Sequence, residues 1–271
     1  MQRLAGRLRS RGRLGFVPTM GCLHEGHLAL VRAARRRCAS VVVSVFVNPT
    51  QFGPGEDLAR YPRDFARDRR LLRAEGVDVV FGPDAGEMYR PGHATRVDVE
   101  RLTRGLCGRY RPGHFRGVAT VVAKLLNIVR PDVAVFGQKD AQQAAVIRQM
   151  VRDLDFDVRI VVTPTVREPD GLAMSSRNGY LTPEERRQAP VLYRSLLLAR
   201  GLVRQGERDA GRLRRAVRAA IRRGSDARVQ YVELVDTAGL QPVRRVAGDV
   251  LLAVAVRFGR TRLIDNIILR A

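Results

Sequence analysis

Leu14-Gly15-Phe16-Val17-Pro18-Thr19-Met20-Gly21-Cys22-Leu23-His24-Glu25-Gly26-His27 runs from an apolar, strand-like stretch through a glycine-bearing turn into helical spacing. The same change of period recurs along the first 165 residues or so. Val41 to Val47, Val77 to Phe81, Val133 to Phe136 and Val158 to Val162 read as further buried strands. Gly26 to Cys38, Asp64 to Glu75, Arg116 to Val129 and Asp140 to Asp153 read as the helices between them. Such alternation predicts an α/β fold, a parallel sheet with helices on both faces, with ligands beyond the carboxyl ends of the strands. After Asn178 the pattern changes. Thr182-Pro183-Glu184-Glu185 is a helix start, and two long Arg/Ala/Leu helices follow to about Arg223. Val229 to Val235, Val250 to Val256 and Arg262 to Leu269 then read as strands. The expectation is one domain over 1–165 and a smaller α+β domain over 166–271.

The chain has 271 residues, 45% hydrophobic and 28% charged, which suits one large or two modest globular domains. The net charge of +22 is almost all arginine, because Lys124 and Lys139 are the only lysines. Pairs such as Arg214-Arg215 and Arg222-Arg223 are spread over helical segments and are not interleaved with aromatics that would stack on bases. Solvated helix faces are the expected reading, with no nucleic-acid partner; attraction of anionic small substrates is the functional alternative. Cys22, Cys38 and Cys107 form no CxxC pair, which points to a reducing cytoplasm rather than a disulfide framework. No apolar run approaches the roughly 20 residues of a membrane helix, so no membrane partner is expected.

Four clusters carry chemistry. In the first, free N–H groups at the helix start near Gly26 make an anion site, with His24 and His27 three residues apart able to face a phosphate. Imidazoles there are expected to gain charge near neutral pH and stabilise an α-phosphoryl group. Cys22, His24 and His27 as zinc ligands is the alternative, at a spacing unlike a finger. In the second, Phe46-Val47-Asn48-Pro49-Thr50-Gln51-Phe52-Gly53, Gln51 can orient a small hydroxylated or carboxylated substrate. The third, Phe136-Gly137-Gln138-Lys139-Asp140-Ala141-Gln142-Gln143, sets a lone ammonium at a strand–helix junction with Gln143 on the same side. The fourth, Val166 to Asn178, ends in Ser175, Ser176 and Arg177, which can wrap a triphosphate or merely join two domains.

Together these segments resemble the pantothenate synthetases. PTMGCLHEGH, FVNPTQFG, RPGHFRGVATVV, FGQKDAQQ and VREPDGLAMSSRN occur in the family's order and approximate spacing, over about residues 14 to 180. The resemblance implies a Rossmann-like ATP domain, a C-terminal lid, magnesium and a homodimer. By position, it implies ATP contacts from Met20, Gly21, Cys22, Leu23, His24, Glu25, Gly26 and His27. Gly137, Gln138, Lys139, Asp140, Val166, Met174, Ser175, Ser176 and Arg177 would complete the nucleotide site. His27, His24 and Lys139 would be catalytic, Gln51 and Gln143 would hold pantoate, and Gln51 would also contact β-alanine. Cys22 departs from a usual alanine and Gln138 from a frequent acid. The segment before the first strand is short for the family, leaving open a missing N-terminal strand or a misassigned start. The alternatives are another HxGH adenylyltransferase acting on a cofactor precursor, and an RNA-binding module related to tRNA-charging enzymes.

Overall fold

A computed structural model describes residues 1–271. The first half is built from α1 (Gln2–Arg9), β1 (Leu14–Thr19), α2 (Glu25–Arg35), β2 (Ser40–Val45), α3 (Phe65–Ala74), β3 (Val79–Phe81), α4 (Ala85–Met88), α5 (Leu106–Tyr110), α6 (His114–Val129), β4 (Val133–Gly137), α7 (Ala141–Asp153) and β5 (Arg159–Thr163). Its five strands are parallel, in the order β3-β2-β1-β4-β5. The chain builds outward from β1 to one edge, then returns to its other side with β4. That reversal places a crevice beyond the carboxyl ends of β1 and β4, where loops can diverge around a ligand.

Two buried layers flank this sheet. Val17, Val31, Val41, Val43, Leu72 and Val135 pack on one side, between β1, β2, β4 and helices α2 and α3. On the other side Phe16, Val42, Ala134 and Phe136 meet the apolar face of α6. Strands buried on both faces need continuous apolar runs, which is why β1, β2 and β4 lack a polar alternation.

The second half contains α8 (Pro183–Gln188), α9 (Val191–Arg204), α10 (Ala210–Gly224), β6 (Arg228–Asp236), β7 (Asp249–Phe258) and β8 (Thr261–Arg270). The strands form an antiparallel meander with β7 in the centre. Leu251, Ala253 and Ala255 point into the core shared with α6, while Val250, Leu252, Val254 and Val256 point under α9 and α10. Successive side chains alternate faces, so β7 is a two-sided wedge between the halves.

The segment before β1, given no element from the sequence, forms a helix, with Ala5 and Leu8 packed into the core. Two expectations need correction. The strand expected to run to Val47 leaves the sheet after Val45, because Asn48-Pro49 opens a turn whose first N–H is taken by the Asn48 side chain. Three helices rather than two precede β6; Pro190 separates α8 from α9. The Thr182 start is a capping box with Glu185, as its sequence predicts.

Candidate active site

The crevice holds a cavity of about 220 Å³ lined by the ends of β1, β2, β4 and β5, the start of α2, one face of α6 and residues 174–177. Of the residues singled out in the sequence, Met20, His24, Gly26, His27, Gln51, Gly137, Lys139, Asp140, Gln143, Val166, Met174, Ser175, Ser176 and Arg177 line it together. Gly21, Cys22, Leu23, Glu25 and Gln138 do not. Leu23 is in the core, Glu25 pairs with Arg32 on the surface, and Gln138 turns to Asn266. A side cavity of about 70 Å³ continues past Lys139, Gln143 and Arg177 toward Cys107 and Arg262.

The two histidines cap α2 reciprocally. His24 Nδ1 accepts from the Gly26 N–H at 3.1 Å, and His27 Nδ1 accepts from the His24 N–H at 3.4 Å. An imidazole whose Nδ1 accepts carries its proton on Nε2, so both rings present an N–H donor at Nε2. Gly26 is required here, because a β-carbon would lie 2.8 Å from the His24 ring. Burial lowers the pKa of His24 to about 4, helped by the nearby Lys139 ammonium. Burial lowers that of His27 to about 3, helped by His24 and then Lys139. The expectation that these rings gain charge near neutral pH is therefore corrected. In this pocket they are neutral donors, since desolvation disfavours the imidazolium.

The Asp68 carboxylate, 1% exposed, accepts from the N–H groups of Cys22 and Leu23 at 2.8 Å each and holds the turn that leads to His24. No cluster of three or more His, Cys, Asp or Glu side chains exists that could hold a metal, which removes the zinc alternative for Cys22, His24 and His27.

Gln51 is buried and fixed. Its Oε1 accepts from Asn48 Nδ2 at 3.0 Å, and its Nε2 points to the Met20 sulfur at 3.0 Å. Asn48 also donates to the Gly117 carbonyl and accepts from Tyr89. Gly117 allows α6 to approach this turn, because a β-carbon would lie 2.4 Å from the Thr50 carbonyl oxygen.

Arg111 and His114 lie on the cavity wall, though the sequence reading gave them no role. Their only signal was the RPGHF segment. Arg111 forms a two-pronged ion pair with Glu56 and also donates to His114 Nε2 at 2.9 Å. His114 Nδ1 donates to the Gln51 carbonyl at 2.8 Å. Burial lowers the His114 pKa to about 4, reinforced by the adjacent Arg111. Arg177, on the cavity wall, forms a two-pronged pair with Asp57 at 2.9 and 2.8 Å. Ser176 donates to the Cys22 carbonyl, tying this loop to the histidine turn. The buried Thr165 hydroxyl beside them has no protein partner and was also not singled out from sequence.

A parallel sheet in this order, with a paired-histidine helix start at the switch point, defines a nucleotide-binding α/β enzyme of the HxGH type. The chain belongs to the pantoate–β-alanine ligase family, whose model matches residues 1–268. It is 62% identical over 255 residues to a pantothenate synthetase of Heliobacterium modesticaldum, covering 94% of this chain and 91% of the relative. The structure of pantothenate synthetase from Thermus thermophilus superposes with a TM-score of 0.93 at 54% identity, covering 97% of this chain and 96% of that one. A pantoate–β-alanine ligase from Francisella tularensis, solved with β,γ-ATP and β-alanine, gives 0.80 at 34% identity over 98% of this chain and 94% of that one. Neither the adenylyltransferase nor the RNA-binding alternative is favoured by these relatives.

Proposed function

We infer that this chain condenses pantoate with β-alanine, driven by ATP, through a pantoyl adenylate held in the crevice. The observation that carries the reading is the convergence of His24, His27, Lys139, Gln51 and Gln143 on one cavity. A carboxylate oxygen of pantoate attacks the α-phosphorus of ATP; the bond to the β-phosphate oxygen breaks and pyrophosphate leaves. The β-alanine nitrogen then attacks the acyl carbon, the carbon–oxygen bond to the phosphate breaks, AMP leaves, and the nitrogen loses a proton.

The Nε2–H groups of His24 and His27 and the Lys139 ammonium meet the charge that grows on the α-phosphoryl oxygens, in place before the reaction. Gln51, its amide already oriented by Asn48, presents N–H to pantoate from one side. Gln143 faces it from α7, and Gln51 is also assigned to β-alanine. The backbone from Met20 to Gly26, Gly137 to Asp140, Val166 and the loop from Met174 to Arg177 surround the nucleotide. ATP enters as its magnesium complex. Asp140 is the cavity carboxylate without a close ion pair, 4.0 Å from Lys139 Nζ, and suits the one-carboxylate, phosphate-rich coordination magnesium favours.

A domain division near residue 166 belongs to the same proposal, the second half covering the crevice to exclude water from the adenylate. A cytoplasmic homodimer completes it, supported by the family likeness and by three free cysteines. The test is isotope exchange between pyrophosphate and ATP. Exchange should require pantoate alone, and AMP should appear only when β-alanine is added. Exchange that ignores pantoate, or a product still carrying the nucleotide, would remove the reading.

A further inference from the structure

Asn266 lies on β8, 128 residues from the loop it touches, and is 5% exposed. Its side-chain nitrogen donates to the carbonyl of Gln138 at 3.0 Å and to the carbonyl of Lys139 at 2.9 Å. Its side-chain oxygen accepts from Gln138 Nε2 at 3.0 Å. The carboxamide has therefore made all the bonds its local geometry offers, each to the turn that carries the lone cavity ammonium.

The two carbonyls belong to the peptide groups on either side of the Lys139 α-carbon. A peptide group is planar, so fixing both planes fixes φ and ψ at Lys139 and with them the direction of its side chain. The preceding residue anchors the clamp. Asp265, 2% exposed, receives the Asn266 N–H at 2.8 Å and a two-pronged ion pair from Arg167 at 2.6 and 3.0 Å. Arg167 is the second residue of the segment that carries Ser175, Ser176 and Arg177, and it stacks 3.6 Å from the Tyr193 ring. One dipeptide of the antiparallel sheet thus fastens both the ammonium turn and the root of the hydroxyl loop.

We propose that Asn266 is a positioning residue that aims Lys139 at the nucleotide phosphates, making the C-terminal sheet part of the active-site scaffold as well as its cover. This rests on the role assigned to Lys139 above.

Asn266→Asp keeps shape but puts a carboxylate against two carbonyl oxygens. Pyrophosphate exchange in this variant should fall about 100-fold, the scale of an ångström-level misplacement. The KM for pantoate should stay within about threefold, since uniform binding to the Gln51 side is untouched. The deciding measurement is the cycle with Lys139→Ala. If Asn266 acts through Lys139, the double variant is no slower than Lys139→Ala alone, because there is nothing left to aim. Losses that multiply, or an Asn266→Asp enzyme with full exchange, overturn the proposal. Should Asn266→Asp fail to fold, Gln138→Ala removes one bond of the clamp from the loop side, and the same cycle with Lys139→Ala decides. Full exchange in Lys139→Ala would sink the assumed lysine role along with this proposal. Loss in Lys139→Ala beside a normal Asn266→Asp would sink only the positioning role.

Discussion

Two walls of the cavity handle charge in opposite ways. The histidine wall, His24 and His27, is neutral and held by the backbone of its own helix start. The guanidinium wall, Arg111 and Arg177, is charged and already answered by Glu56 and Asp57 on one loop. A nucleotide meeting the first wall finds N–H donors that need no rearrangement. The second wall offers no free cation, because each guanidinium is already paired with a carboxylate. Preorganised donors are effective where charge develops, whereas a paired guanidinium must first give up its carboxylate to bind another anion.

The largest test of this contrast is removal of one donor from the first wall. His27→Ala should lower the rate of adenylate formation about 100- to 1000-fold, the cost typical of one lost oxyanion-type donor. Single-turnover formation of the adenylate measures it, and a change within a few-fold would erase the distinction between the walls.

A second test uses pH. The folded values of His24 and His27, about 4 and about 3, lie below the ordinary 6.5. The neutral rings of the folded state therefore contribute stability that is fully present above pH 6.5. It is lost as pH falls from there toward 4, because the unfolded chain takes up protons first. Denaturation midpoints should drop between pH 7 and pH 5. The profile of kcat/KM for ATP should show no acidic limb near 6.5 from these rings. An apparent value near 6.5 that disappears in His24→Gln would mean that the pocket tolerates an imidazolium.

The smallest effect is expected at the second wall. Asp57→Asn frees Arg177, whose side chain is 26% exposed. The KM for ATP should fall about two- to fivefold, in line with the ~0.5–1 kcal/mol of a partly exposed ion pair. A large rise would show instead that Asp57 is needed to hold the loop in shape.

How much was legible follows from range. The strand–turn–helix segments at Thr19 to His27 and Phe136 to Gln143 are local, and there the expected elements coincide with the structure, whereas Gly21, Cys22, Leu23, Glu25 and Gln138 lie off the cavity. The helix before β1 escaped notice because eight residues give barely two turns of period. Arg111 and His114 appeared only as a quoted segment, since nothing local tells which arginine among so many faces a cavity. Their partners Glu56 and Gln51 lie 55 and 63 residues away. The charge state of the histidines was misjudged for the same reason: burial is a property of what packs around a ring.

Sequence alone settled the parallel α/β scaffold and set the candidate site residues at strand ends and strand–helix junctions, because apolar period and turn chemistry act over a few neighbouring residues. Tertiary structure decided which ring nitrogen carries the proton, which carboxylate answers which arginine, and that Asn266 on the last strand grips the Lys139 turn. Those outcomes depend on desolvation and on contacts between segments far apart in the chain, and neither is written in any local stretch of it.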